Sequence, residues 1–356
     1  MARIDSFLEL VVKQHASDLH LMSGETPWIR LFGQLHPVKY RELTIEETYA
    51  LLQEIMPGDA RKAFDTRNSL DFAYEVPGLS RFRVNVFRHL GGIGAVLRTI
   101  PSSIPTLDEL KLPPVVQSFC GEKKGLFLVV GPTGSGKSTT LAAMVGQINA
   151  SRRAHIITIE DPVEYLHPRK SSLISQKEVG VHTPSFARAL RAALREDPNV
   201  ILLGELRDLE TVSMAVSAAE TGILILATLH TNGATATVDR IVNVFPGADQ
   251  PRIRNMLSTS LRGIISQQLI RRADGKGRVA AIEILVNTPA IGNMIREGKT
   301  KQLLTAIQTG ALVGMQSMDQ SLQKLMDANL ISGNEAYSLA TNKQAFERFT
   351  ERRELA

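Results

Sequence analysis

The sequence predicts an α/β protein with a smaller α+β domain in front of it. Three observations carry this. From Gly121 onward, short apolar runs alternate with helical patterns, the order that builds a mainly parallel sheet. One of those runs, Leu126-Phe127-Leu128-Val129-Val130, leads through Gly131-Pro132-Thr133-Gly134-Ser135-Gly136-Lys137-Ser138 into a helical stretch ending near Asn149. Residues 101–114, with four prolines, set this half apart from a strand-rich N-terminal stretch.

Each element has its own signal. Apolar positions 4, 7, 8, 11 and 12 have helical spacing. Ser17-Asp18-Leu19-His20-Leu21 reads as a short strand, and residues 27–38 as a hairpin turning near Gly33. Thr44-Ile45-Glu46-Glu47 is a capping box for a helix that runs to Met56 and stops at Pro57-Gly58. Residues 70–76, 81–89 and 93–100 read as strands, with turns at Pro77-Gly78 and Gly91-Gly92. The predicted organisation is a domain over 1–100, a Pro-rich linker over 101–120 and a larger domain over 121–356. In the larger domain, strands are predicted at 126–130, 155–160, 199–204 and 223–229. Helices are predicted at 138–149, 185–196 and 211–220, with Gly222 just past the last of them. Asp274-Gly275 turns the chain into a final strand, 278–286, and the sequence is helical after Pro289. Arg188, Arg191 and Arg195 share a face of the 185–196 helix, either a solvated face or the lining of a pore or subunit contact.

The glycine-rich segment fits G-x-x-x-x-G-K-[ST] and lies between a strand and a helix, which is the context of a P-loop. Its glycines let backbone N–H groups close around phosphate oxygens, and the helix N-terminus adds positive partial charge. Lys137 is placed to reach the β- and γ-phosphates, the Ser138 hydroxyl to meet Mg²⁺, and Thr139 to follow in the first helical turn. In such sheets, ligand groups gather at the carboxyl ends of strands. Three further strand ends carry chemistry. Thr158-Ile159-Glu160-Asp161-Pro162-Val163-Glu164 supplies carboxylates able to hold a metal through water and to orient an attacking water. Val200-Ile201-Leu202-Leu203-Gly204-Glu205 resembles a Walker B strand with Gly in place of the usual Asp, so Glu205 carries the metal-side role; a strand-end Glu paired with Arg207 is the alternative. Ala227-Thr228-Leu229-His230-Thr231-Asn232 puts Thr228 and His230 on the γ-phosphate side. Arg81, Arg83, Arg88 and Arg98 cluster in the N-terminal domain, as plain surface or as arginine fingers.

Together these motifs resemble the secretion-type ATPase superfamily, most closely the PilT-like retraction motors of type IV pili. The resemblance also rests on Ser17-Asp18-Leu19-His20, Arg81-Phe82-Arg83-Val84-Asn85, Ile104-Pro105-Thr106-Leu107, Gly204-Glu205-Leu206-Arg207-Asp208 and Gly314-Met315-Gln316-Ser317-Met318-Asp319. It implies a homo-hexameric ring with a PAS-like N-terminal domain and a RecA-like ATPase domain. It implies ATP and Mg²⁺, the metal held by Ser138, Glu160 and Glu205. It implies Glu164 as the catalytic carboxylate, His230 at the γ-phosphate, and Arg83 and Arg98, with Arg81 beside them, as phosphate-contacting residues. The expected work is pilus retraction and twitching motility, driven by motion between the domains. Its expected place is the cytoplasmic face of the inner membrane, against a platform protein. Two positions depart from the family pattern: Ile223, where many retraction motors have His, and Gly292, in Pro289-Ala290-Ile291-Gly292-Asn293, where the family has Arg. They leave an accessory or regulatory paralogue open.

Bulk properties narrow the alternatives. A single cysteine, Cys120, excludes a disulfide framework and an all-cysteine zinc site. The N-terminus lacks a secretory apolar region, and the longest apolar stretch, 223–229, is far too short to span a bilayer. The net charge of +5 admits a RecA-like nucleic-acid translocase. Against it stand few aromatics for base stacking and no dedicated DNA-binding module, so no nucleic-acid partner is expected.

Overall fold

The computed structural model describes residues 2–350 except Phe32, Asp59, Ala60, Lys62, Ala63, Asp65, Arg67, Pro101 and Ser102. The start of the expected linker, at Pro101 and Ser102, and residues 351–356 of the expected C-terminal domain therefore lie outside the described residues. The chain forms two compact units, Met1–Ser103 with Pro162–Leu166, and Ile104–Asp161 with His167–Ala356. No helix among the described residues is long and apolar enough to cross a membrane.

The first unit is built on an antiparallel sheet in the order β3-β2-β1-β6-β5-β4. Its strands are β1 Asp18–Met22, β2 Trp28–Leu31, β3 Gln34–Pro37, β4 Ser69–Val76, β5 Ser80–His89 and β6 Gly92–Ile100. Successive side chains on a strand point to opposite faces. One face carries Leu19, Leu21, Phe82, Val84, Val86, Ala95 and Leu97 and is closed by Phe7, Leu8, Leu51 and Leu52 from helices α1 (Asp5–Lys13) and α2 (Ile45–Ile55). The expected capping box opens α2: Glu47 N–H donates to Thr44 Oγ1 at 3.2 Å, and Thr44 N–H to Glu47 Oε2 at 3.0 Å. On the opposite parity the register aligns Arg83, Arg98, Asp18 and Arg30 in one row across four strands.

The second unit holds a sheet in the order β13-β12-β7-β11-β10-β8-β9. Its strands are β7 Gly125–Val130, β8 His155–Glu160, β9 Leu173–Glu178, β10 Val200–Leu203, β11 Leu224–Leu229, β12 Leu261–Arg271 and β13 Arg278–Val286. All pairs are parallel except β12–β13, an antiparallel hairpin that turns at the expected Asp274-Gly275. Helices α4 (Lys137–Ser151), α5 (Phe186–Ala193), α6 (Leu209–Thr221), α7 (Ala234–Asn243), α8 (Gln250–Ser260) and α9 (Pro289–Arg296) cover the sheet. Leu141, Met144, Val145 and Ile148 of α4 pack on one face, with Phe127 and Val129. Residues of α5 to α9 pack on the other, with Leu126, Leu128 and Val130.

Several elements differ from the sequence reading. Strands β9 and β12 were not expected. In β12 the apolar positions 261, 264, 265 and 269 have helical spacing, but β7 and β13 hydrogen-bond it from both sides, and this tertiary pairing overrides the local pattern. The α5 helix ends at Ala193, so Arg195 lies beyond it, while the exposed Arg191 pairs with Glu210. Much of the stretch expected as linker packs into the second unit. It includes helix α3 (Pro114–Phe119), and Leu107, Val116, Phe119 and Cys120 are buried beside Phe127 and Val129. Phe119 and Phe127 have ring centroids 4.6 Å apart. Apolar residues interleaved with the prolines account for the packing.

The thiol of Cys120 tests that packing. Burial pushes it up to about 12, so the reactive thiolate is scarce at pH 8. The native chain should resist a disulfide reagent at pH 8 and release one thiol per chain on unfolding. Rapid labelling of the native protein would place residues 114–120 outside the core.

Candidate functional site

The strand–loop–helix at β7 and α4 forms a concave backbone turn. Gly131 has φ 146° and Gly136 φ 88°, conformations that favour glycine. Steric limits are as strict. A Cβ on Gly131 would lie 2.2 Å from the carbonyl oxygen of Gln267, and one on Gly136 2.8 Å from Gln267 Nε2. Gly136 caps α4, whose first turn carries Lys137, Ser138 and Thr139 and whose leading N–H groups have no partner within the helix. The Lys137 side chain is buried and folds back across the loop, donating from Nζ to the carbonyls of Gly131 at 2.9 Å and Pro132 at 3.0 Å. The Ser135 Oγ is buried and finds no hydrogen-bond partner among the described residues. An orphaned hydroxyl beside a lysine and a helix N-terminus fits an anionic ligand in the loop.

The neighbouring strands bring the other expected groups to the same edge. Register pairs Val130 of β7 with Leu229 of β11, and Leu203 of β10 with Ala227 of β11 and Ile159 of β8. Gly131, His230, Glu205 and Glu160 thus stand at the carboxyl ends of four adjoining strands, spaced by about 4.8 Å per strand. Glu205 Oε2 lies 2.7 Å from an Arg207 Nη and 3.5 Å from His230 Nε2. Burial pushes the Glu205 carboxyl up, but the Arg207 hydrogen bond and charge, with His230 adding, outweigh it and hold the group below its usual range. The pairing with Arg207 and the place on the ligand edge therefore coexist. Gly204 is a tight place for the customary aspartate: a Cβ would lie 3.3 Å from both Glu160 Cα and the Ile159 carbonyl oxygen, so the neighbouring backbone would have to give by a few tenths of an ångström. Thr228, expected to face the ligand, instead donates its hydroxyl to the Gly204 carbonyl at 2.5 Å, tying β11 to the Glu205 turn. Thr158 Oγ1 donates to Glu160 Oε1 at 2.7 Å.

Three polar residues that the sequence reading missed also belong here. Gln267 of β12 accepts from Thr140 Oγ1 at 2.8 Å. Ser266 Oγ accepts from Gly233 N–H at 3.0 Å, just after the His230 loop. Glu283 of β13 accepts from Ala234 N–H at 2.7 Å, at the start of α7, and burial pushes its carboxyl up. The only sequence signal for them is polarity inside apolar runs.

The remaining predicted residues belong to the first unit. Arg81 and Arg83 lie on β5 and Arg98 on β6, and half-buried Glu164 falls in the Pro162–Leu166 segment grouped with that unit. Arg98 donates Nε to Asp18 Oδ1 at 2.8 Å, with its side chain 66% exposed, and Arg30 Nε lies 3.6 Å from Asp18 Oδ2. Arg83 Nε is 3.7 Å from Asp71 Oδ1. Burial raises the Asp18 carboxyl, but hydrogen bonds from Ser17 and Arg98 and the Arg98 charge outweigh it, so the group is held low. Gly292, the departure noted in the sequence, lies on α9 where a Cβ would be 2.9 Å from the Ser258 carbonyl oxygen of α8, so any side chain there requires the two helices to shift.

A glycine loop between strand and helix, its lysine, and carboxylates at adjoining strand ends define a P-loop protein of the α/β class. Residues 1–337 match the family model described as type II/IV secretion system protein, and the chain belongs to that family. It is 50% identical over 320 residues to "Twitching motility protein" of Neisseria gonorrhoeae, covering 90% of this chain and 86% of the relative. It is 48% identical over 343 residues to "Type IV pilus retractation ATPase PilT" of Pseudomonas aeruginosa, covering 96% and 99%. The crystal structure of the pilus retraction motor PilT with bound ADP superposes with a TM-score of 0.90 at 45% identity, covering 98% of this chain and all of that one. The resemblance read from the motifs is thereby borne out.

The Asp18 cluster gives a pH-dependent expectation. A carboxyl held low stabilises the fold above its unfolded pKa, and that contribution is lost as pH falls through the folded value. Asp18→Asn should therefore lower the urea midpoint at pH 7, and the gap to wild type should close as pH drops below about 4. An equal gap at pH 7 and pH 3 would show that the ionised carboxyl contributes nothing.

Proposed function

We propose that this chain is an ATP-hydrolysing motor that powers type IV pilus retraction and twitching motility. The observation that carries the reading is the buried Lys137 in its glycine loop, one strand from His230 and two from Glu205. Near-complete coverage of a relative named as a pilus retraction ATPase supports the choice of polymer.

On this reading, backbone N–H groups of 133–136 and the start of α4 bind the phosphates of ATP. Lys137 exchanges its carbonyl partners for β- and γ-phosphate oxygens. Ser138 and Thr139 line the first turn, and His230 meets the γ-phosphate. The oxygen donors Ser138, Glu160 and Glu205 suit Mg²⁺, which favours hard ligands and retains water; bound there, it neutralises phosphate charge. Glu164 accepts the proton of the attacking water. Arg83 and Arg98, with Arg81 beside them, act as fingers on the phosphates of a neighbouring copy in a homo-hexameric ring. The N-terminal domain moves relative to the ATPase domain, which includes most of the 101–120 stretch, as nucleotide turns over. The ring works in the cytoplasm on an inner-membrane platform protein and takes no nucleic acid.

Replacing Lys137 with Ala removes the charge on the reacting phosphates and should cut ATP hydrolysis on the order of 10²-fold or more. A strain carrying only Lys137→Ala should display excess surface pili and fail to twitch. Wild-type hydrolysis by the variant would overturn the P-loop reading, and loss of surface pili would point to assembly instead of retraction.

A further inference from the structure

Ser266 and Gln267 are polar residues at the middle of β12, which lies between β7 and β13, and both are buried. Burying such groups in a sheet interior is costly unless they are hydrogen-bonded, and an apolar pair would pack there at lower cost. Adjacent strand residues face opposite ways. Ile264 belongs to the core beneath α5 to α9 and Ile265 to the core beneath α4, so Ser266 faces the first and Gln267 the second. Each side chain ends on a different loop of the site. Ser266 Oγ holds Gly233 N–H at 3.0 Å, three residues past His230. Gln267 Oε1 holds the Thr140 hydroxyl at 2.8 Å, its Nε2 abuts Gly136, and its backbone carbonyl abuts Gly131.

We propose that Ser266 and Gln267 are positioning residues that set the P-loop and the His230 loop in register from one strand, and so set how the site tells ATP from ADP. The inference rests on the nucleotide reading above. Gln267 supports the P-loop, which both nucleotides use. Ser266 supports the loop that meets only the γ-phosphate. A shift of β12 moves both loops together, so the two halves of the site tighten or relax as one.

The test measures binding of fluorescent ADP and of a non-hydrolysable fluorescent ATP analogue to the full chain, with thermal melts of the nucleotide-free protein alongside. Gln267→Leu should weaken both nucleotides roughly tenfold, and Ser266→Ala should weaken the ATP analogue about fivefold while leaving ADP within about twofold. Adding Thr140→Val to Gln267→Leu removes the stranded hydroxyl, so melting temperature should recover while nucleotide affinity stays low. Recovery of affinity together with stability would reduce Gln267 to a packing role and overturn the inference, as would an unchanged ATP-to-ADP ratio in Ser266→Ala. Lys137→Ala, measured in parallel, separates the two levels. If it loses binding while the β12 variants bind normally, this inference alone fails. If it binds both nucleotides as wild type does, the P-loop reading fails and takes this inference with it.

Discussion

The contact between Gly131 and the carbonyl of Gln267 is the constraint on which the site depends. A methyl group on Gly131 would lie 2.2 Å from that oxygen, inside any van der Waals limit. Because the side chain is absent, β7 and β12 approach closely and the chain leaves the sheet in a tight glycine-rich turn. The packing beneath α4 then fixes where the turn ends, with Met144, Val145 and Ile148 buried against β7. The lysine and hydroxyls of the first helical turn follow from where that turn ends, and Lys137 is held further by the carbonyls of Gly131 and Pro132.

The electrostatics follow the same order. Parallel pairing of β7, β11, β10 and β8 brings several ionisable groups to one edge, where burial opposes charge. Glu205 stays ionised because Arg207 and His230 stand beside it. Glu283, behind the same edge, has backbone N–H donors at Ala234 and Met318 that do not offset its burial, to which the Asp319 charge adds, and it is pushed the other way. Two carboxyls carried by one sheet thus acquire opposite tendencies. The one held charged is the one at the strand end beside the phosphate loop.

The main elements of this arrangement could be read from the sequence. The P-loop pattern, the alternating strands and helices, the Thr44 capping box and the strand ends at Glu160, Glu205 and His230 all depend on local spacing, which a sequence displays directly. The misses share one cause: tertiary context. The apolar spacing of β12 suits a helix as well as a strand, and only its neighbours decide. Ser266, Gln267 and Glu283 are single polar residues in apolar runs, without a period to flag them. Prolines in 101–114 obscured Leu107 and the apolar face of α3. At position 292 the sequence shows a missing arginine, whereas the structure shows a close backbone approach that a side chain would force to shift.

On the proposed reading, one copy supplies the P-loop edge and another supplies arginines from β5 and β6, so neither copy alone is a complete enzyme. Subunit mixing tests this most directly. Lys137→Ala chains and Arg83→Ala chains, each inactive alone, are combined at equal concentration and assayed for ATP hydrolysis. If the site is shared, some interfaces pair an intact P-loop with an intact arginine, and the mixture regains a clear fraction of wild-type activity. If the mixture stays as inactive as either variant, while dilute monomeric wild type hydrolyses ATP at its full rate, the arginines do not act between copies and the account is wrong.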